Sequence, residues 1–154
     1  MKTRDEQLYA AVRDIRLCFN LLRARADEMH ADLGVNASMR AVMESLAGDG
    51  ERTVPDIARS RGVSRQHIQK LVNGLAEDGL VELVPNPAHK KSRLVAITDV
   101  GRKVAAATAR RERKILPEIA RDIPLEDIRV ATSVLASLKE AFESDRWREL
   151  VQRE

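Results

Sequence analysis

Arg65, Gln66, Gln69, Lys70 and Asn73 fall at helical spacing near the middle of the chain, and no acid interrupts them. Arginine matches the O6 and N7 acceptors of guanine, and glutamine or asparagine matches N6 and N7 of adenine. A helix with these five side chains on its outer face suits the base edges of a DNA major groove. Ser64 opens the same segment, where its hydroxyl and the first free amides suit a phosphate; His67 lies within it. A second cluster follows, His89, Lys90, Lys91, Ser92 and Arg93. It is basic and lies between two strand-like runs, so it suits a minor groove or the phosphate backbone.

Such a reading helix needs a brace. A helix crossing it steeply requires a small residue at the crossing, for which Ala58 serves, and a turn residue that accepts positive φ, for which Gly62 serves. Ile68, Leu71, Val72 and Leu75 supply the apolar stripe that pins the second helix, which starts at the cap Ser64 and breaks at Gly79. Thr53-Val54-Pro55-Asp56 predicts a capped start for the preceding helix. Leu80–Val84 and Leu94–Ile97 then predict a β-hairpin whose tip is the basic cluster.

The outer segments are helical. Leu8, Val12, Ile15, Phe19, Leu22, Ala26, Met29 and Leu33 recur at three- and four-residue steps, predicting one helix from about Asp5 to Leu33, ended by Gly34. Ser38 is the expected cap of the next helix, with Met39, Val42, Met43 and Leu46 inward. Thr98 caps a helix that contains Pro117, and Pro124 opens a final one with Leu125, Ile128, Thr132, Leu135, Leu138 and Phe142 on one face, extended by Trp147 and Leu150. The fold class is therefore mainly α with a small β-hairpin: a winged helix-turn-helix over residues 37–103, with long N- and C-terminal helices for dimerisation over 1–36 and 104–154, in one compact domain. A single reading helix covers few base pairs, and the long outer stripes exceed what one small core needs. A homodimer spanning two half-sites is expected.

Charge agrees with that division. The chain carries a net +3, but residues 52–103 hold ten cations against five acids, a net +5 that leaves −2 for the rest. A basic middle on a near-neutral scaffold fits double-stranded DNA as partner. Tyr9, Phe19, Phe142 and Trp147 all lie outside that middle, which counts against single-strand or RNA binding by base stacking. No nucleophile–base pair, phosphate loop or metal cluster suggests an enzyme. No apolar run is long enough to span a membrane, and the first residues lack an apolar signal core. A cytoplasmic protein without a cofactor is expected.

The segments 53–59 (Thr-Val-Pro-Asp-Ile-Ala-Arg), 63–72 (Val-Ser-Arg-Gln-His-Ile-Gln-Lys-Leu-Val) and 75–81 (Leu-Ala-Glu-Asp-Gly-Leu-Val), with the wing from Asn86-Pro87 through Leu94-Val95-Ala96-Ile97-Thr98 and then Gly101, resemble the MarR family of bacterial transcriptional regulators. The resemblance extends over about residues 5–145. It implies a homodimer held by the terminal helices, a palindromic operator, and usually repression relieved by a small-molecule inducer or an oxidant. The wing departs from the family pattern, which usually has Asp at the place of His89 and Arg at Lys90 or Lys91. Lysine lacks the planar fork of arginine, so backbone affinity is expected there more than base readout.

Cys18 is the chain's one cysteine, which excludes an internal disulfide. Cys18-Phe19 resembles the peroxide-sensing branch of the family, yet the tyrosines serving that branch are absent: Leu22, Ala37 and Arg40 stand instead, and the one tyrosine is Tyr9. A buried, inert thiol is expected, with redox sensing through Cys18 as the alternative. A winged helix used only for protein contacts is a further alternative. Of the histidines, His67 is expected at the edge of the helix packing, His89 in the wing and His30 in solvent, with no metal held.

Overall fold

The computed structural model describes residues 3–89 and 91–153. The elements run α1 (Arg4–Met29), a 3-10 turn (Ala31–Leu33), α2 (Ala37–Asp49), β1 (Arg52–Thr53), α3 (Val54–Arg61), α4 (Arg65–Glu77), β2 (Val81–Val84), β3 (Leu94–Ile97), α5 (Asp99–Ala120), α6 (Leu125–Glu143) and α7 (Asp145–Gln152). The chain divides into a first unit ending at Arg111 and a second beginning at Glu112. The winged helix-turn-helix lies within the first. Its sheet has the order β1-β3-β2, antiparallel throughout, with Val81 opposite Ile97, Val84 opposite Leu94, and Arg52 opposite Val95.

Local chemistry explains most boundaries. Thr3 and Glu6 form a reciprocal capping box at the start of α1. The Thr53 hydroxyl accepts from the Asp56 amide at α3, and the Ser64 hydroxyl accepts from the His67 amide at α4. Gly62, at φ 63°, turns the chain between those two helices, and the Val63 amide reaches back to the Ala58 carbonyl. Gly79, at φ 69°, closes α4 in the same manner: Leu80 N–H bonds the Leu75 carbonyl and Gly79 N–H that of Ala76.

The core of the first unit gathers Val42, Met43 and Leu46 from α2, Ile57 and Ala58 from α3, Ile68, Val72 and Leu75 from α4, and Val81, Val95 and Ile97 from the sheet. Leu71 packs against it half-buried. Arg40 and Arg111 fasten the end of α1 to this core. Arg40 is buried and donates to the Ala26 carbonyl at 3.1 Å, while Arg111 donates to the Met29 carbonyl at 2.7 Å and grips both carboxylate oxygens of Asp32 at 2.6 Å. The Arg111 hydrogen bond holds the Asp32 carboxyl below the usual aspartate range.

Several expectations need correction. The first helix stops at Met29, and Gly34, at φ 68°, ends the short 3-10 turn that follows. Asn36, not Ser38, caps α2, its side chain accepting from the Met39 amide at 3.0 Å; two cap-competent residues stood close together and the earlier one took the role. His30 is buried rather than solvated: it is the C-cap of α1, next to the turn whose Ala26 and Met29 carbonyls Arg40 and Arg111 bind. Cys18 is exposed rather than buried, since α1 buries none of its residues within the chain. Trp147 and Leu150 belong to a separate helix, α7, set off from α6 at Ser144; Trp147 meets Phe142 edge-on across the break at 5.0 Å.

Candidate nucleic-acid interface

α4 shows two contrasting faces. Ile68, Val72 and Leu75 are buried, while Arg65, Gln66, His67, Gln69, Lys70 and Asn73 are all exposed. His67, expected at the packing edge, lies instead in solvent, its amide taken by Ser64 in the first turn. That first turn holds no acid, so the positive end of the helix dipole is left uncompensated by side-chain charge. Ser64 uses its oxygen as the cap acceptor and retains its hydroxyl proton for a further acceptor. Within the outer face, Gln69 Nε2 donates to Asn73 Oδ1 at 2.8 Å.

The cations of α3 are engaged with the protein. Arg59 pairs with Asp56 at 3.0 Å, and Arg61 donates to the Ala41 carbonyl at 3.1 Å. The Thr53 hydroxyl, at 2.6 Å, is the main cause that lowers the Asp56 carboxyl below its ordinary range, with Arg59 contributing. These bonds fix the helix that braces α4.

The wing is the β2–β3 hairpin. Its loop turns at Asn86, whose side chain accepts from the Ala88 amide at 3.0 Å and whose carbonyl accepts from His89 at 3.2 Å; the His89 carbonyl accepts from Ser92 at 3.0 Å. His89 and Lys91 are exposed and Ser92 is half-buried. Lys90 lies outside the described residues. Arg93 is exposed but folds back to donate to the Leu83 carbonyl across the hairpin, so it braces the wing's base. The structure thus brings Arg65, Gln66, Gln69, Lys70 and Asn73 together on one helix. It sets His89 and Lys91 apart on the hairpin.

Two parts of this arrangement escape the sequence reading. β1 adds a third strand beside β3, tying the entry to α3 to the wing. Thr98, expected only as a helix cap, is also a joint. Its hydroxyl donates toward the Gly79 and Leu80 carbonyls at 2.8 and 3.1 Å and accepts from the Gly101 amide at 3.0 Å. Gly101 is needed there, because a Cβ would stand 2.0 Å from the Leu80 carbonyl oxygen. The end of α4, the wing and the start of α5 are fixed by this one junction. The signal was present in the Thr-x-x-Gly spacing, but its partners lie on a distant stretch of chain.

A family model described as MarR family matches residues 33–92, the stretch from the 3-10 turn to the wing tip. An uncharacterized protein of Mycobacterium tuberculosis is 36% identical over 107 residues, covering 70% of this chain and 74% of its own length. The chain belongs to the MarR family. A transcriptional activatory protein of Rhodopseudomonas palustris, BadR, is 30% identical over 115 residues, 72% of this chain and 66% of that one. Among solved structures, a MarR family transcription regulator superposes with a TM-score of 0.82 at 23% identity, covering 97% and 96% of the two chains. A mutant MarR from E. coli complexed with operator DNA gives 0.78 at 17% identity, covering 89% of this chain and 99% of the other. The fold is thus the winged helix of MarR transcription regulators, which are not enzymes. Among the described residues no cluster of His, Cys, Asp or Glu is arranged to hold a metal, and no helix is long and apolar enough to cross a membrane.

Proposed function

We propose that this MarR-family chain is a homodimeric, cytoplasmic transcriptional regulator that binds a palindromic DNA duplex with α4 in the major groove. The observation that carries the reading is the outer face of α4: five exposed donors and no acid from Arg65 to Asn73, on a helix pinned from behind by Ile68, Val72 and Leu75. Ser64 and Lys70 serve phosphates, and Arg65, Gln66 and Gln69 face base edges, with Asn73 beside Gln69 on the same face. The wing adds His89, Lys90, Lys91 and Ser92 to the backbone contact, with Arg93 holding its shape. A complex of a related fold with operator DNA supports the mode.

Dimerisation is supported by the bare helices. Among the described residues, every exposed large apolar side chain except Val63 and Val100 lies on α1 or from Ile115 onward. Surfaces of that kind mark protein contacts, and a two-fold dimer sets two α4 helices about one DNA turn apart. Repression relieved by a small molecule is the family's usual sign and completes the reading. The relative named as an activatory protein favours the opposite sign, and a reporter strain lacking the protein separates them: repression predicts a rise in transcription from the bound promoter. The binding mode itself is tested by sedimentation. Free protein is expected at twice the chain mass and the complex at two chains per palindromic duplex. One chain per duplex at saturation contradicts it.

A further inference from the structure

Gln69 and Asn73 stand one turn apart on α4, both exposed, joined by the 2.8 Å bond from Gln69 Nε2 to Asn73 Oδ1. A solvated glutamine loses rotamer freedom when it docks on a base, which weakens the contact by about two- to tenfold for a side chain of this kind. Here that ordering is made in advance, because Asn73 already holds one N–H of the amide. The amide keeps its second N–H and its whole Oε1. One donor beside one acceptor is the complement of adenine N7 and N6–H. Asn73 has the reverse situation, with its carbonyl oxygen turned along the helix toward Gln69. Buried Ile68 and Val72 between them fix the backbone that sets this spacing.

We infer that Gln69 is the adenine-reading residue of α4 and that Asn73 is its positioning residue, aligning the Gln69 amide rather than reading a base itself. This rests on the duplex-binding reading above. Both side chains lie in solvent on the outer face, so substitutions here leave the core untouched.

The test is selection of duplexes from a random pool by the wild-type dimer, Gln69→Ala, Asn73→Ala, Asn73→Asp and the double alanine variant, followed by titration of the selected duplex and its single-pair variants. Gln69→Ala flattens the preference at one A·T pair in each half-site by about 5- to 150-fold. Asn73→Ala flattens that same pair by about two- to tenfold, and adds nothing once Gln69 is alanine. Asn73→Asp retains an oxygen acceptor for Gln69, so it keeps the preference at that pair while its new charge weakens all duplexes alike. The inference is overturned if Asn73→Ala changes a different base pair, changes none, or adds in full to Gln69→Ala. If wild-type protein selects no sequence at all, the duplex-binding reading falls, and the inference with it.

Discussion

Between Ala37 and Ile97 the large apolar residues other than Val63 turn inward: Met43, Leu46, Ile57, Ile68 and Leu75 are fully buried. α1 is twice the length of α4, at 26 residues against 13, and carries apolar residues along its whole length, yet it buries none of its residues. α6 also buries none. Periodicity says which face of a helix is apolar, but not what covers it. The inner helices find most of their cover within a short stretch of sequence. α1 keeps Leu8, Leu17, Phe19, Leu21 and Leu22 in solvent, and α6 keeps Leu125, Val130, Val134 and Leu135. Such surfaces mark protein contacts, and the proposed homodimer would cover them.

Damage to the two regions should have different consequences. Ile68→Ala is expected to cost about 2–5 kcal/mol in urea denaturation, through lost burial and the cavity left behind. Leu22→Glu should instead weaken self-association, seen as a fall toward monomer mass on dilution, with α2–α4 still folded. If Leu22→Glu leaves the mass unchanged at every concentration, the bare stripe is not the interface. Gly101→Ala comes next, at about 1–3 kcal/mol, because the new methyl collides with the Leu80 carbonyl at the junction of α4, wing and α5. An unchanged denaturation midpoint would mean that this junction gives way easily.

Acid should sharpen the contrast at smaller scale. Asp32 is held below its ordinary range chiefly by Arg111, and Asp56 chiefly by Thr53. Carboxyls lowered in the folded state stabilise it fully above their unfolded value, near pH 4, and lose that contribution as the pH falls through the folded values. Melting temperature should therefore decline below about pH 4, and Asp32→Asn should flatten the decline; an unaltered acid limb in that variant argues against the Arg111 clasp. The smallest effect is expected at the wing. Lys91→Ala should weaken all duplexes alike and reduce the salt slope by about one, in contrast to the base-selective loss expected at Gln69.

The inner region was legible because its signals are local. Thr53, Gly62, Ser64 and Gly79 each act within one turn of their own position, and the strand Leu94–Ile97 is bounded by its neighbours. What stayed hidden depends on distant chain. β1 is two residues long and exists through its pairing with Leu94 and Val95. His30 is buried beside the end of α1, where Arg40 and Arg111 reach back to the Ala26 and Met29 carbonyls, 14 and 82 residues away. Arg93 reads in sequence as a wing-tip cation, and only the hairpin's register shows it turned onto the Leu83 carbonyl. For the candidate site, the five-residue face of α4 was readable from spacing alone, whereas the link between Gln69 and Asn73 needed the side-chain geometry.

In the proposed function the outer face of α4 reads sequence in duplex DNA. Equilibrium titration of the wild-type protein against its selected duplex and a scrambled duplex of equal length, at several salt concentrations, tests it most directly. The expected result is a preference for the selected duplex of at least about 10³-fold, with both affinities falling steeply as salt rises. Equal affinity for the two duplexes across the whole salt range would contradict the account.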